Sequence, residues 1–243
     1  LIVLNNVTRF KELDSAKTNF ISTVSHEMKT PLQVISGSAE MIASGLVDPD
    51  DIGEFGRRIY LESQRLRALI NDVLTLSRLD ESSFASAERV PVDMLELVQR
   101  TCERLRPLAR EHGIELGFSG ADLRTLGNEA LLEQAVSNLV ENGIRYSDDG
   151  GTVNVRVEIE EVSAEPCIAV RVSDDGIGIS EQDREKIFER FYRIDKGRSR
   201  KLGGTGLGLS IVKNAVVIHG GTITVRNGER GGLEFVFTLR KHS

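Results

Sequence analysis

A histidine followed at once by a glutamate, with a proline five residues on, stands inside a strongly periodic stretch, residues 20–32 (FISTVSHEMKTPL). Apolar Phe20, Ile21, Val24, Met28 and Leu32 recur at three- and four-residue spacing, which predicts a helix. His26 and Glu27 fall at the edge of that stripe, within reach of solvent. Pro31 has no N–H for the carbonyl of Glu27, and its ring crowds that carbonyl, so the helix is expected to bend beside His26. A neutral imidazole presented this way is a competent nucleophile. A lone histidine is ordinarily a surface or core residue, and His112, His219 and His242 are read that way. Around His26 the company of Glu27, Thr30 and Pro31 favours reactivity.

Four further clusters, all in the second half of the chain, have types and spacings suited to a nucleotide. Asn138 and Asn142 are one helical turn apart and share a face, with Arg145 and Tyr146 following. An amide oxygen is a reasonable ligand for Mg²⁺, which takes few protein ligands and keeps water and phosphate oxygens; the ordinary alternative is a solvated asparagine. In Asp174-Asp-Gly176-Ile-Gly178-Ile179 a carboxylate after a strand can accept from an exocyclic amine such as adenine N6. Its glycines let backbone approach a flat ring, although Asp-Gly is also an ordinary turn. In the run 186–193 (KIFERFYR), Phe188 reads as core, whereas Tyr192 and Arg193 lead into a basic polar segment, 195–203, where a cation could meet phosphates. Gly204, Thr205, Gly206, Leu207 and Gly208 then open a helix whose bare N–H groups would cradle an anion. The strand–turn–helix context of a dinucleotide fold is missing, so a mobile lid over a nucleotide is the better reading.

The elements that must position these residues come in two styles. Residues 1–8 read as the last strand of an upstream domain, and 10–45 as one long helix with near-heptad apolar positions Leu13, Phe20, Val24, Met28, Leu32, Ile35, Ala39 and Ile42. After a turn at 45–51, a second helix carries Ile52, Phe55, Ile59, Leu66, Leu69, Val73 and Leu76 to about residue 83. A lone hairpin of this kind leaves half of each stripe wet, and two together bury it, which predicts a homodimeric four-helix bundle. Residues 81–89 are small and polar, a linker. Beyond them helices (92–112, 128–147, 180–191, 206–219) alternate with strands (114–118, 152–159, 168–172, 223–226, 235–239). This predicts an α/β sandwich of mixed sheet with about three helices, and Asn128 is a plausible N-cap. The domain boundaries expected are 1–12, the end of a signal-transmitting segment; 13–83, the dimerisation hairpin; 84–91, the linker; and 92–243, the nucleotide domain.

Composition excludes several classes. The chain is 40% hydrophobic and 28% charged, enough for a real core, and its net charge of −6 argues against nucleic acid as a partner. Two cysteines make neither a disulfide framework nor a metal site and fit a reducing compartment. No apolar run spans a bilayer. The abrupt start suggests a fragment whose upstream sensory or membrane part is absent.

Taken together, the motifs resemble those of the sensor histidine kinases of bacterial two-component systems, over nearly the whole chain. FISTVSHEMKTPL resembles the H-box, NLVENGIRY the N-box, DDGIGI the G1 box, EKIFERFYR the F-box and GGTGLGL the G2 box, in the family's order. The resemblance implies a dimeric helical-hairpin four-helix bundle followed by an α/β sandwich of the Bergerat (GHKL) type. Residues 1–8 also resemble the closing strand of a PAS-type domain. Carried over, His26 is the phosphoacceptor, Glu27 its acid–base partner, and Thr30 the residue that orients water when a partner is dephosphorylated. Asn142 is the Mg²⁺ ligand with Asn138 beside it, and Arg145, Tyr146 and Tyr192 contact phosphates and adenosine. Asp174 reads adenine with Gly176, Gly178 and Ile179 around it, and Arg193 and the 204–208 loop hold phosphates. Two departures stand out. Arg145 replaces a commoner lysine, and Gly143 replaces the usual alanine, costing about 1 kcal/mol of helix propensity.

The implied chemistry is phosphoryl transfer from Mg-ATP to His26 and then to an aspartate in the receiver domain of a response regulator, with dephosphorylation of that regulator as a second activity. The loose transition state needs positioning and charge stabilisation. Two rivals carry other functions. An ATPase of the same superfold bears a glutamate where this chain has Asn138, to activate water; a non-catalytic ATP-binding scaffold would merely sequester a regulator.

Overall fold

The computed structural model describes residues 2–80, 89–162, 165–194, 204–228 and 231–242. The linker residues 81–88 and the basic segment 195–203 read from the sequence lie outside the described residues. The chain divides into two compact units: residues 2–74 with Gly204 and Thr205, and residues 75 onward for the rest.

The first unit is a helical hairpin. Helix α1 (Ile2–Ala43) runs unbroken through Pro31. Gly45, at φ 68°, closes it, and its N–H reaches the carbonyl of Ile42 at 3.1 Å. A single 3₁₀ turn (Pro49–Asp51) with proline at its start leads into α2 (Ile52–Asp80). The strand expected at 1–8 is not formed: Ile2 to Thr8 is the first part of α1. Its β-branched residues suit a strand, but a strand needs a pairing partner, whereas a helix satisfies its own N–H and C=O groups. Among side chains described on the hairpin, Ile21, Leu32, Met41, Ile52, Tyr60, Leu61, Ile70 and Leu74 are exposed. Only part of the stripe is covered within one chain.

The second unit is an α/β sandwich. Strand β1 (Val90–Asp93), α3 (Met94–Glu111), β2 (Glu115–Gly120), β3 (Arg124–Gly127), α4 (Glu129–Tyr146), β4 (Thr152–Val162), β5 (Glu165–Asp174), α5 (Gly208–Ile218), β6 (Ile223–Asn227) and β7 (Leu233–Arg240) follow in order. The main sheet has strand order β2-β4-β5-β7-β6, with β2 parallel to β4 and every other pair antiparallel; β1 and β3 form a separate ribbon. Alternation sorts the faces. Val153, Val155, Val157, Ile168, Val170, Val172, Phe235, Phe237 and Leu239 are buried, and the helices α3, α4 and α5 supply Leu97, Val98, Leu132, Leu139, Ile211 and Val212 to the same core. The opposite face is charged: Arg171 on β5 binds Glu158 and Glu160 of β4 and Glu234 of β7. Cys102 lies in the core, where burial pushes its thiol up to about 11 and makes it inert.

Two more expectations are corrected. The helix expected at 92–112 starts two residues later, because Asp93 is its cap and accepts from the N–H of Glu96 at 3.0 Å, leaving Val90–Asp93 to pair with β3. The helix expected at 180–191 is only two separate 3₁₀ turns, Glu181–Asp183 and Lys186–Phe188. The Ser180 hydroxyl donates to the Asp183 carboxylate at 2.6 Å and caps no helix N–H, and Phe191 takes φ 64°, which no helix tolerates.

Candidate functional site

In the first unit, His26 is exposed on α1 and Glu27 and Thr30 are half-buried beside it. The hydroxyls of Thr23, Ser25 and Thr30 each donate to the carbonyl four residues back, at 2.8, 2.8 and 3.4 Å; the last of these carbonyls is that of His26. Such back-bonding loosens a helix locally, at the turn where Pro31 already withholds a donor. The arrangement presents an imidazole to solvent on a helix prone to distort. Also within this unit, Thr205 donates to Asp72 at 2.7 Å.

The second unit gathers most of the other residues. Asp174 ends β5 and is 8% exposed. Its Oδ1 accepts from the N–H of Gly176 at 2.9 Å and of Leu233 at 3.1 Å. Burial raises its pKa, and those two bonds offset only part of the rise. With Oδ1 held, the carboxylate is fixed in orientation, as a group that reads a ring amine must be. The glycines here are required by contact: a Cβ on Gly176 would stand 2.6 Å from the Tyr146 carbonyl and 2.8 Å from Asp174 Oδ1, and one on Gly232 would run into the Asp174 carbonyl. Gly143 is a milder case of the same kind. A Cβ there would sit 3.1 Å from Val153 and 3.4 Å from the Asp174 Cβ, so glycine lets α4 lie close against the strand ends.

On α4, capped by Asn128 through the N–H of Leu131 at 3.1 Å, Asn142 is half-buried and Arg145 pairs with Glu141 at 3.6 Å. Asn138 does something the sequence did not announce. Its Nδ2 donates to the Gly208 carbonyl at 3.1 Å and so ties α4 to the first residue of α5. Among the described residues that helix has no side-chain cap, so its first N–H groups can meet an anion. Gly206, at φ 75°, accepts from the N–H of Phe191 at 2.7 Å, and Arg193 Nε lies 3.0 Å from where its Cβ would be. Arg193 thus borders the Gly206 turn. Tyr192 instead gives its hydroxyl to Asp183 at 2.6 Å; bonds from Ser180 and Tyr192 hold the Asp183 carboxyl below the usual range.

Sequence reasoning missed Asp183, Gly232 and Asn227. The Asn227 amide bonds both backbone groups of Ile179, accepting from its N–H at 3.3 Å and donating to its carbonyl at 3.1 Å. No local pattern marks a strand-end asparagine for that task. The second aspartate of the pair, Asp175, clips the start of β4 through the N–H and hydroxyl of Thr152 at 3.0 and 2.6 Å.

Residues 127–243 match the family described as histidine kinase-, DNA gyrase B-, and HSP90-like ATPase, and residues 16–82 match the His Kinase A (phospho-acceptor) domain. The sensor-like histidine kinase SenX3 of Mycolicibacterium smegmatis is 34% identical over 247 residues, covering 100% of this chain and 62% of SenX3. The solved mycobacterial sensor histidine kinase MprB is 31% identical with a TM-score of 0.55, covering 64% of this chain and 99% of that one.

The chain belongs to the sensor histidine kinases.

A further structure, histidine kinase ThkA in complex with response regulator protein TrrA, shares the fold across 92% of this chain and 61% of its own, with a TM-score of 0.71 at 24% identity. The histidine kinase chain spans under two thirds of SenX3, and no helix among its described residues is long and apolar enough to cross a membrane.

Proposed function

We propose that this chain is the catalytic portion of a homodimeric histidine kinase that transfers the γ-phosphoryl group of Mg-ATP to His26. The phosphoryl group then passes to an aspartate of a response regulator, and the same chain dephosphorylates that regulator. The observation that carries this reading is a fixed, buried Asp174 and an uncapped helix N-terminus at Gly208, both packed against α4, in the same chain as an exposed His26. An adenine amine on the free edge of Asp174 and phosphates at α5 would hold ATP in one orientation. The half-buried Asn142 amide fits a Mg²⁺ ion, which when bound would neutralise phosphate charge. Arg193 would meet the phosphates as a fixed cation, Glu27 would stabilise the imidazolium as it forms, and Thr30 would orient water for the dephosphorylation.

Asn138 favours kinase over ATPase. It is no base, and its amide is already engaged with the Gly208 carbonyl, so it activates no water. The complex of ThkA with TrrA supports a receiver domain as the second acceptor. The test is incubation with γ-labelled ATP. Wild type should form acid-labile phosphoprotein, and His26→Ala should form none while still binding nucleotide. Rapid turnover of ATP without phosphoprotein would instead mark an ATPase, and binding without either product a scaffold.

A further inference from the structure

We infer that Asn227 is a positioning residue for nucleobase selection, holding the Gly176–Ile179 loop against Asp174. The inference rests on the reading of Asp174 as the adenine-binding group and deepens it.

Asn227 is the last residue of β6, where it pairs with Leu233 at the start of β7. Its side-chain amide imitates one more rung of strand pairing: Oδ1 accepts the Ile179 N–H and Nδ2 donates to the Ile179 carbonyl. Both backbone groups of one loop residue are thereby taken by one side chain, a two-point contact that fixes rotation as well as distance. The residue before it, Gly178, sits at φ 66° with its Cβ direction 3.5 Å from Asn227 Oδ1. The loop must therefore turn through a left-handed residue to reach the clip.

The same hairpin grips Asp174 from its other end. Leu233 donates to Asp174 Oδ1, and Gly232 lies so close to the Asp174 carbonyl that a side chain there is impossible. The carboxylate and the loop that faces it are thus both referenced to the β6–β7 turn. Asp174 distinguishes adenine from guanine because it accepts from an amine and repels a carbonyl oxygen at the same ring position. That discrimination needs the ring held in one plane against the loop. Releasing Ile179 lets the loop drift, and the ring with it.

Two exposed hydrogen bonds of ordinary strength correspond to about tenfold in affinity. ADP and GDP affinities of the full chain, measured by calorimetry, test this in wild type, Asn227→Ala and Asn227→Asp. The alanine variant should bind ADP about tenfold more weakly and lose most of its preference for ADP over GDP. The aspartate variant, which cannot donate to the Ile179 carbonyl, should do no better. A general loss of stability weakens both ligands alike and leaves their ratio, so an unchanged ADP-to-GDP ratio overturns the inference whatever happens to affinity. Should the alanine variant fail to fold, Asn227→Ser is read by the same ratio. Asp174→Asn is the control. If it keeps the adenine preference, the adenine reading falls and this inference falls with it; if it loses the preference while Asn227→Ala retains it, only the role of Asn227 is wrong.

Discussion

His219 shows how a residue without catalytic company still shapes the nucleotide unit. It is buried at the end of α5, with Nδ1 2.6 Å from the Ala215 carbonyl and Nε2 accepting the Asn128 N–H at 2.9 Å. Nδ1 must carry the proton and Nε2 must be bare, so the ring is neutral and links the end of α5 to the cap of α4. Burial lowers its pKa, the nearby Arg89 guanidinium adds to that, and the bond to Ala215 opposes it. The unfolded chain therefore binds the proton more readily than the folded one. The contribution is complete above about pH 6.5, the ordinary imidazole value, and is lost as pH falls through the lower native value. Urea unfolding of the second unit should show stability falling between pH 7.5 and 5.5. His219→Phe, which leaves the Asn128 N–H without its acceptor, should lose about 1–3 kcal/mol at pH 8 and flatten part of that slope. Identical slopes in the two proteins would remove His219 as the source. Sequence reading left this histidine as a surface or core residue and could not see its bond to Asn128, which lies 91 positions away.

At the scale of elements, long periodic helices and alternating strands were legible, and short-range competition was not. Asp93 and Glu96 have the spacing of a capping box, a signal that would have put the start of α3 two residues later. Nothing local foretold that Ser180 and Tyr192 would both turn to Asp183 and break the expected helix into single turns. The glycine loop at the start of α5 was read as a phosphate cradle, and its geometry supplies the reason for one glycine. Gly206 is left-handed, and a Cβ on it would stand 3.1 Å from the Phe191 Cα, backbone that cannot swing aside. Gly206→Ala should cost about 1–2 kcal/mol of strain in that loop, relieved by giving up the bond to the Phe191 N–H and shifting the α5 terminus. Nucleotide affinity should fall about tenfold with the melting temperature little changed. Native affinity in that variant would show that the left-handed turn is not needed for binding.

The hairpin poses the question that belongs to the whole molecule. Leu32 and Ile52 lie on the stripes whose periodicity predicted a bundle of four helices, and they are 53 and 45% exposed in a single chain. Apolar side chains exposed singly on a surface need no explanation, but these fall on two successive amphipathic helices, with Ile21 on the same stripe as Leu32. A second copy supplies an identical stripe, so a two-fold dimer covers both. Burying each of these side chains is worth about 1.5–3 kcal/mol, and a glutamate in its place must be desolvated or must drive the helices apart. The double variant Leu32→Glu, Ile52→Glu changes four positions per dimer and should weaken association at least about a hundredfold. Sedimentation at micromolar concentration should show dimer for wild type and monomer for that variant. Ile159→Glu, a change at a side chain that is 52% exposed on β4 of the second unit, should remain dimeric. A double variant that still sediments as a dimer would mean that the copies meet through a surface other than the hairpin.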